Sequence, residues 1–156
     1  MNETIIKNFN EVIDWTDTLY ILGDCFLNNN DEGMKLIKRL PGEKHIIWGN
    51  HDTDTRKELL NKAGFICHGY ADILRYKDYH FYLSHYPTLT SNLDENKSIK
   101  KRMLNLFGHT HSKNKFYEGR PYMYNVALDA HNNYPVEIEK ILKDIHKEIN
   151  ECFKKI

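Results

Sequence analysis

Short apolar runs that stop abruptly at a glycine or a polar side chain are the dominant pattern of this chain. A short, continuous apolar run is typical of a strand buried in a parallel sheet. Ligands of open α/β sheets lie just beyond the carboxyl ends of such strands. We therefore expect the polar groups that follow these runs to share one edge of a sheet. The runs and their endings are Leu19–Leu22 with Gly23-Asp24, Ile46–Trp48 with Gly49-Asn50-His51-Asp52, Phe81–Ser84 with His85, and Leu104–Phe107 with Gly108-His109-Thr110-His111.

Apolar residues at helical spacing fill the intervals in the first half of the chain. A first helix is predicted around Ile5 to Ile13. A second follows the capping stretch Asn28 to Asp31 and stops at Pro41-Gly42. A third is predicted from Thr55 to Ala63. Strands that alternate with helices of this length are typical of parallel βαβ units.

The second half of the chain favours short strands, and two of them are close enough in sequence to form a hairpin through Lys77-Asp78. Together, the two halves predict the α/β fold class, with two packed sheets flanked by helices in a single domain over residues 1–156. The predicted elements of the second half are strands over Phe65–His68, Ala71–Tyr76, Tyr79–Ser84 and Tyr122–Val126, a polar loop over Pro87–Arg102, and a long amphipathic helix after Pro135.

Composition narrows the class of protein further. Of the 156 residues, 40% are hydrophobic and 12% are aromatic, as expected of a globular domain with a substantial core. The formal net charge is +0, so charge gives no reason to expect a nucleic-acid surface or an anionic membrane partner. Three cysteines without CxxC spacing favour neither a disulfide framework nor a thiolate zinc site. With no signal sequence or membrane-spanning run, the sequence predicts a cytoplasmic protein and leaves its oligomeric state open.

The order of the motifs resembles that of the calcineurin-like metallophosphoesterases, and within them the small phosphoesterases. Motifs in that family run Gly-Asp, Gly-Asn-His-Asp/Glu, a lone His, and Gly-His-x-His, and the resemblance extends from about Ile5 to Ile138. It implies a four-layer α/β/β/α sandwich with mixed sheets. It also implies a metal-dependent hydrolase that cleaves a small phosphomonoester or phosphodiester with a metal-activated water.

The resemblance assigns metal ligands position by position. Asp24 would bridge two ions, and Asn50, His85 and His109 would complete the ligands of one of them. His111 would bind the other ion. Carboxylate, amide and imidazole ligands suit divalent Mn, Fe, Zn, Ni or Co. Two such ions held about 3.5–4 Å apart can clamp a phosphoryl group and lower the pKa of a bound water.

Two further residues receive catalytic roles from the resemblance. His51 matches a histidine that contacts phosphate and donates a proton to the leaving oxygen, and Asp52 is expected to hold the imidazole of His51. By itself, Gly49-Asn50 is equally typical of an ordinary turn followed by a surface histidine. Of the polar residues near the end of the motif region, Asn125 is expected to be structural and His131 to be solvated.

The chain departs from the family pattern at its start. The family opens with a strand that carries Asp-x-His, and no Asp-x-His precedes Gly23-Asp24 here. The sequence therefore predicts an N-terminally shortened domain without the first strand. The second ion would then have only Asp24 and His111 as protein ligands, so its site is in doubt. The alternative is a remnant of the fold that binds metal or phosphate with little or no catalysis.

Overall fold

The structure is a computed structural model that describes residues 2–90 and 98–153. None of the helices within these ranges is long and apolar enough to cross a membrane. The helices are α1 (Asn2–Val12), α2 (Asn30–Lys38), α3 (Asp54–Lys62) and α4 (Ile138–Phe153). The strands are β1 (Thr18–Leu22), β2 (Glu43–Ile47), β3 (Ile66–Cys67), β4 (Ala71–Tyr76), β5 (Tyr79–Ser84), β6 (Met103–Phe107) and β7 (Met123–Asn125).

The first sheet is parallel and has the strand order β1-β2-β3. Local sequence explains where its connecting helices begin. The Asn29 side chain accepts hydrogen bonds from the backbone N–H groups of Asp31 and Glu32 and so caps α2. Thr53 caps α3 in the same way by accepting from the N–H of Arg56. The predicted βαβ alternation is therefore present in this half of the chain.

The second sheet is mixed and has the strand order β4-β5-β6-β7. Strands β4 and β5 form the predicted antiparallel hairpin, and Lys77 in its turn has a φ of 51°. Strand β6 pairs in parallel with β5 and β7, so the carboxyl ends of β5 and β6 lie side by side. Within the predicted Pro87–Arg102 loop, residues 91–97 lie outside the described part of the chain, and Ile99–Lys101 form one turn of 3-10 helix.

Side chains that alternate along the first sheet place it between two hydrophobic layers. Leu19 and Ile46 pack with helices α1, α2 and α3, whereas Leu22 and Ile47 pack with the second sheet. Helix α4 adds apolar residues, including Ile145, to the same core as the second sheet. This arrangement confirms the predicted α/β sandwich flanked by helices, with a mixed second sheet packed against a parallel first sheet. Burying a side chain such as Ile145, which is 0% exposed, contributes roughly 1.5–3 kcal/mol.

Contacts between the sheets bring the ends of four strands together. The N–H of Gly108, just after β6, donates to the carbonyl of His85, just after β5, at 3.1 Å. The Nδ1 atom of His85 in turn lies 2.8 Å from the carbonyl oxygen of Leu22, the last residue of β1. Leu22 also pairs in parallel with Ile47 at the end of β2. The polar residues that follow β1, β2, β5 and β6 therefore meet at one edge of the sandwich.

Candidate metal centre

Four side chains meet around one nitrogen atom at this edge. The Nε2 atom of His85 lies 2.8 Å from Oδ1 of Asn50, 3.1 Å from Nδ1 of His109 and 3.3 Å from Oδ2 of Asp24. The ligand atoms of Asp24, His85 and His109 all lie within 4.8 Å of one another. Four of the five predicted metal ligands are thus brought together from distant parts of the chain.

The tautomer of His85 shows which of its ring nitrogens is free to bind a cation. The residue is 3% exposed, and its Nδ1 faces the carbonyl oxygen of Leu22, which can only accept a hydrogen bond. Nδ1 therefore carries the hydrogen, and in the neutral ring Nε2 keeps its lone pair. Near that nitrogen lie the Asn50 oxygen and the Asp24 carboxylate, which accept, and Nδ1 of His109, which donates or accepts according to its tautomer. A hydrogen atom between these groups could form a hydrogen bond to only one of them, whereas a cation can be coordinated by all four atoms. The set of ligand atoms therefore fits a divalent ion.

Two glycines allow the loops to approach this closely. A Cβ atom on Gly49 would lie 2.2 Å from Oδ1 of Asp24, and one on Gly23 would lie 2.4 Å from Nδ1 of His85. Both distances are far below van der Waals contact, so neither position has room for a side chain. Asp24 itself has a φ of 52°, an uncommon left-handed conformation that often marks functional sites. The glycines of the Gly-Asp and Gly-Asn-His-Asp motifs are thus required by the packing of the ligand loops.

The carboxylate of Asp52 has a different role from the one expected. It is 3% exposed, and its Oδ2 accepts the N–H groups of Gly49 at 2.8 Å and Asp24 at 2.9 Å. Among the described residues its Oδ1 has no hydrogen-bond partner. The expectation that it holds the His51 imidazole is therefore wrong, because Asp52 turns inward and fastens the β2 loop to the β1 loop. Any catalytic role for Asp52 remains a prediction.

The backbone of His51 is fixed on both sides while its side chain stays exposed. Its N–H donates to Oδ1 of Asp24 at 2.9 Å, and its carbonyl accepts from Nη1 of Arg56 at 2.6 Å. An imidazole next to the cluster and open to solvent is suited to contact a bound phosphoryl group. Its catalytic role remains a prediction.

Arg56 is a site-supporting residue that the sequence analysis missed. Its guanidinium is largely buried and stacks on the Phe26 ring at 5.5 Å. It donates to the carbonyls of Leu27, Asn28 and His51 and to the Asn30 side chain. The loop after β1 and the loop after β2 are therefore joined by one arginine. In the sequence Arg56 is an ordinary polar residue in the first turn of a helix, and nothing in the local pattern indicates its burial.

The two histidines of the Gly-His-x-His motif differ in their surroundings. Both have left-handed backbone conformations, with φ of 61° at His109 and 47° at His111. Burial lowers the pKa of His109, the neighbouring His85 lowers it further, and Asp24 opposes the shift. The side chain of His111 is 81% exposed, lies outside the metal-ligating cluster, and has its Nδ1 3.0 Å from Oδ2 of Asp129. Its assignment to a second ion remains a prediction.

The segment after β7 places Asp129 beside His111. Asn125 is 0% exposed, and its amide donates to the carbonyls of Ser112 and Asn114, which is the expected structural role. His131 is not solvated as expected. It is partly buried, its Nε2 donates to the carbonyl of Asn125 at 2.8 Å, and burial lowers its pKa. Through these hydrogen bonds, Asn125 and His131 hold the segment after β7 against the loop after β6. The local sequence does not indicate this long-range contact.

Comparison with known proteins agrees with this geometry. The profile of the calcineurin-like phosphoesterase superfamily domain matches residues 2–126, which include strands β1 to β7 and the predicted site residues from Asp24 to His111. The chain belongs to this superfamily. Calcineurin-like phosphoesterase domains imply divalent metal ions, and the cluster around Asp24, His85 and His109 is a matching candidate site.

Two relatives of this calcineurin-like superfamily member extend the comparison without assigning an activity. An uncharacterized protein of Methanocaldococcus jannaschii is 30% identical over 153 residues, covering 94% of this chain and 76% of the relative. A crystal structure of a protein of unknown function from Aquifex aeolicus superposes with a TM-score of 0.66 at 26% identity. That match covers 91% of this chain and 83% of the other. The fold is therefore shared with the Aquifex aeolicus protein, and the sequence similarity extends over most of the Methanocaldococcus jannaschii protein.

Proposed function

We propose that this protein is a metal-dependent hydrolase of small phosphoesters. The observation that carries the proposal is the convergence of four lone-pair atoms, from Asp24, Asn50, His85 and His109, at the carboxyl ends of strands from both sheets. Membership of the calcineurin-like phosphoesterase superfamily supports the same chemistry. A divalent ion bound there supplies a water of lowered pKa and positive charge beside the phosphoryl oxygens. Mn, Fe, Zn, Ni and Co suit the ligand set.

The residues around the cluster would position the substrate and move protons. The exposed imidazole of His51 would contact the phosphoryl group and protonate the leaving oxygen. Hydrogen bonds to Asp24 and from Arg56 fix the main chain that carries this imidazole. Asp52 keeps the two ligand loops at a constant separation through Gly49 and Asp24.

The ligands of a second ion would be Asp24 and His111, with Asp129 as a supporting residue. Asp129 accepts from Nδ1 of His111, which leaves Nε2 with the lone pair that a metal needs. Carboxylate partners of this kind are common behind metal-bound histidines. Two protein ligands hold an ion less firmly than four, so we expect the cluster around His85 to be occupied first.

An assay of an activated aryl phosphodiester separates the enzyme from a non-catalytic remnant. The protein is freed of metal with a chelator, reloaded with Mn, Ni or Mg, and compared with its His51→Ala variant. We expect slow hydrolysis that is faster with Mn or Ni than with Mg, because imidazole-rich sites favour the former. Loss of His51 should lower the rate by roughly 10²–10⁴-fold if it is the general acid.

The matched control is His146→Ala. His146 lies on α4, and its Nε2 is hydrogen-bonded to the hydroxyl of Tyr79, at the opposite end of β5 from the ligand-bearing end. This variant should retain full activity. Protein that binds Mn at the cluster but hydrolyses neither phosphodiesters nor phosphomonoesters would overturn the hydrolase proposal in favour of the remnant. Equal rates for wild type and His51→Ala would remove His51 from the mechanism.

A further inference from the structure

Tyr86 lies at the rim of the candidate metal centre, beside two of its histidines. Its ring centroid is 4.6 Å from that of His109 and 5.1 Å from that of His85, with edge-on geometry in both pairs. Nevertheless, 48% of the residue remains exposed, whereas the core aromatics Phe81 and Tyr124 are 0% exposed. The ring therefore contacts two predicted ligands on one side and leaves much of its remaining surface open.

The main chain of Tyr86 is held in place by a buried polar network. Its carbonyl accepts hydrogen bonds from Oγ of Ser84 at 2.8 Å and from Oγ1 of Thr88 at 3.0 Å. Asn105, which is 0% exposed, donates to Oγ of Ser84 at 2.9 Å and accepts the N–H of Thr88 at 2.8 Å. An open ring on a fixed backbone loses little conformational freedom when a ligand packs against it.

An accessible aromatic ring next to a phosphoryl-binding centre favours one kind of substrate. Aromatic rings stack on flat ligand rings whatever their hydrogen-bonding pattern, as in proteins that bind nucleic-acid bases. The ester group of a phosphoester bound near His109 must leave the centre past its rim, where Tyr86 lies. The zero formal net charge of the chain fits a small ligand better than a long polyanion.

We propose that Tyr86 forms one wall of the substrate site and selects phosphoesters whose ester group carries a flat aromatic ring, as in nucleotides. This inference rests on the proposed function, because it needs a phosphoryl group at the metal centre. The aromatic wall adds affinity through the ester group and leaves the affinity for the phosphate itself unchanged.

Calorimetric titration of the Mn-loaded chain with three probes tests this directly. The probes are inorganic phosphate, ribose 5-phosphate, and adenosine 5′-monophosphate, which adds a base to the same sugar phosphate. We expect adenosine monophosphate to bind roughly tenfold more tightly than ribose 5-phosphate, the lower part of the range for stacking one base. Tyr86→Phe, which keeps the ring, should retain this ratio, and Tyr86→Leu should bring it close to one.

Tyr70→Leu is the matched control, because Tyr70 is 66% exposed, accepts a hydrogen bond from Lys57, and within the described residues makes no ring contact with His85 or His109. It should leave the ratio unchanged. Equal affinities for the two sugar phosphates in the wild type, or an unchanged ratio in Tyr86→Leu, would overturn the role of Tyr86 while leaving the proposed function in place. Equal weakening of all three probes in Tyr86→Leu would show that the ring only shields the histidines. Failure of every probe to bind wild-type protein would contradict both proposals.

Discussion

Replacing Arg56 with methionine tests how the loop that carries His51 is held. The arginine is 9% exposed, so its charge is almost fully inside the protein. Its guanidinium donates to the carbonyl of His51 at 2.6 Å, to Oδ1 of Asn30 at 2.9 Å, to the carbonyl of Asn28 at 3.3 Å, and to that of Leu27. Methionine retains most of the aliphatic volume and removes every one of these donors.

The expected loss follows from the two well-formed bonds to His51 and Asn30. A hydrogen bond with one charged partner contributes roughly 1.5–3 kcal/mol, and an acceptor left unpaired in the interior costs more. Because Asn30 and neighbouring carbonyls are partly accessible to water, we take the lower end for each bond. The sum is about 3 kcal/mol of unfolding free energy. In a domain of this size that corresponds to a melting temperature lower by roughly 6–12 °C.

Urea unfolding of wild type, Arg56→Met and Arg56→Lys measures the loss. The lysine variant keeps the charge but not the planar set of donors, so it should fall between the other two. Arg120→Met is the control, since the Arg120 side chain is 48% exposed and its ion pair with Glu118 spans 3.6 Å. It should change stability by less than about 0.5 kcal/mol. An Arg56→Met variant as stable as this control would refute the view that Arg56 joins the two loops.

Two further substitutions have outcomes fixed by the geometry. Gly49→Ala would place a Cβ atom 2.2 Å from Oδ1 of Asp24, so we expect a lower melting temperature and weaker Mn binding, measured by thermal unfolding and calorimetry. Burial alone would raise the pKa of Asp144, but hydrogen bonds from Lys115 and Tyr124 outweigh it, and the net pKa lies below its usual value. The stability it adds is therefore present above the ordinary carboxylate pKa and lost as pH falls through the lowered one. Asp144→Asn should cost about 1 kcal/mol in urea at pH 7 and progressively less as the pH falls below the ordinary carboxylate pKa of about 3.9, and a cost that does not change with pH would contradict this.

The parts of the site that could be predicted depend on short stretches of sequence. Each apolar run ends at a glycine or polar ligand, and the period of the pattern changes from strand to helix between them. These local signals place Asp24, Asn50, His85 and His109 at strand ends, and parallel pairing then brings the ends to one edge. The strand predicted over Phe65–His68 is too long. Strand β3 covers only Ile66–Cys67, the two residues that pair with His45 and Ile46 of β2.

The parts that could not be predicted depend on contacts between distant residues. Arg56 reaches acceptors 26 to 29 positions earlier, and the sequence around it differs in no way from an exposed helix start. Asn105 interrupts an apolar strand as if it faced solvent, yet it is fully buried and holds Ser84 and Thr88. Asp52 turns toward two backbone N–H groups and away from the neighbouring imidazole. The burial and orientation of these side chains are determined by tertiary packing, which the local periodicity of the sequence does not indicate.

The central claim is that Asp24, Asn50, His85 and His109 together bind a divalent cation. Calorimetric titration of Mn into chelator-treated protein tests it most directly, with Asp24→Asn, His85→Ala and the control His80→Ala measured alongside. We expect one strong site in wild type and in the control, strong binding lost in the two ligand variants, and all four proteins folded by circular dichroism. Absence of binding to the folded wild type, or unchanged affinity in folded His85→Ala, would contradict the claim.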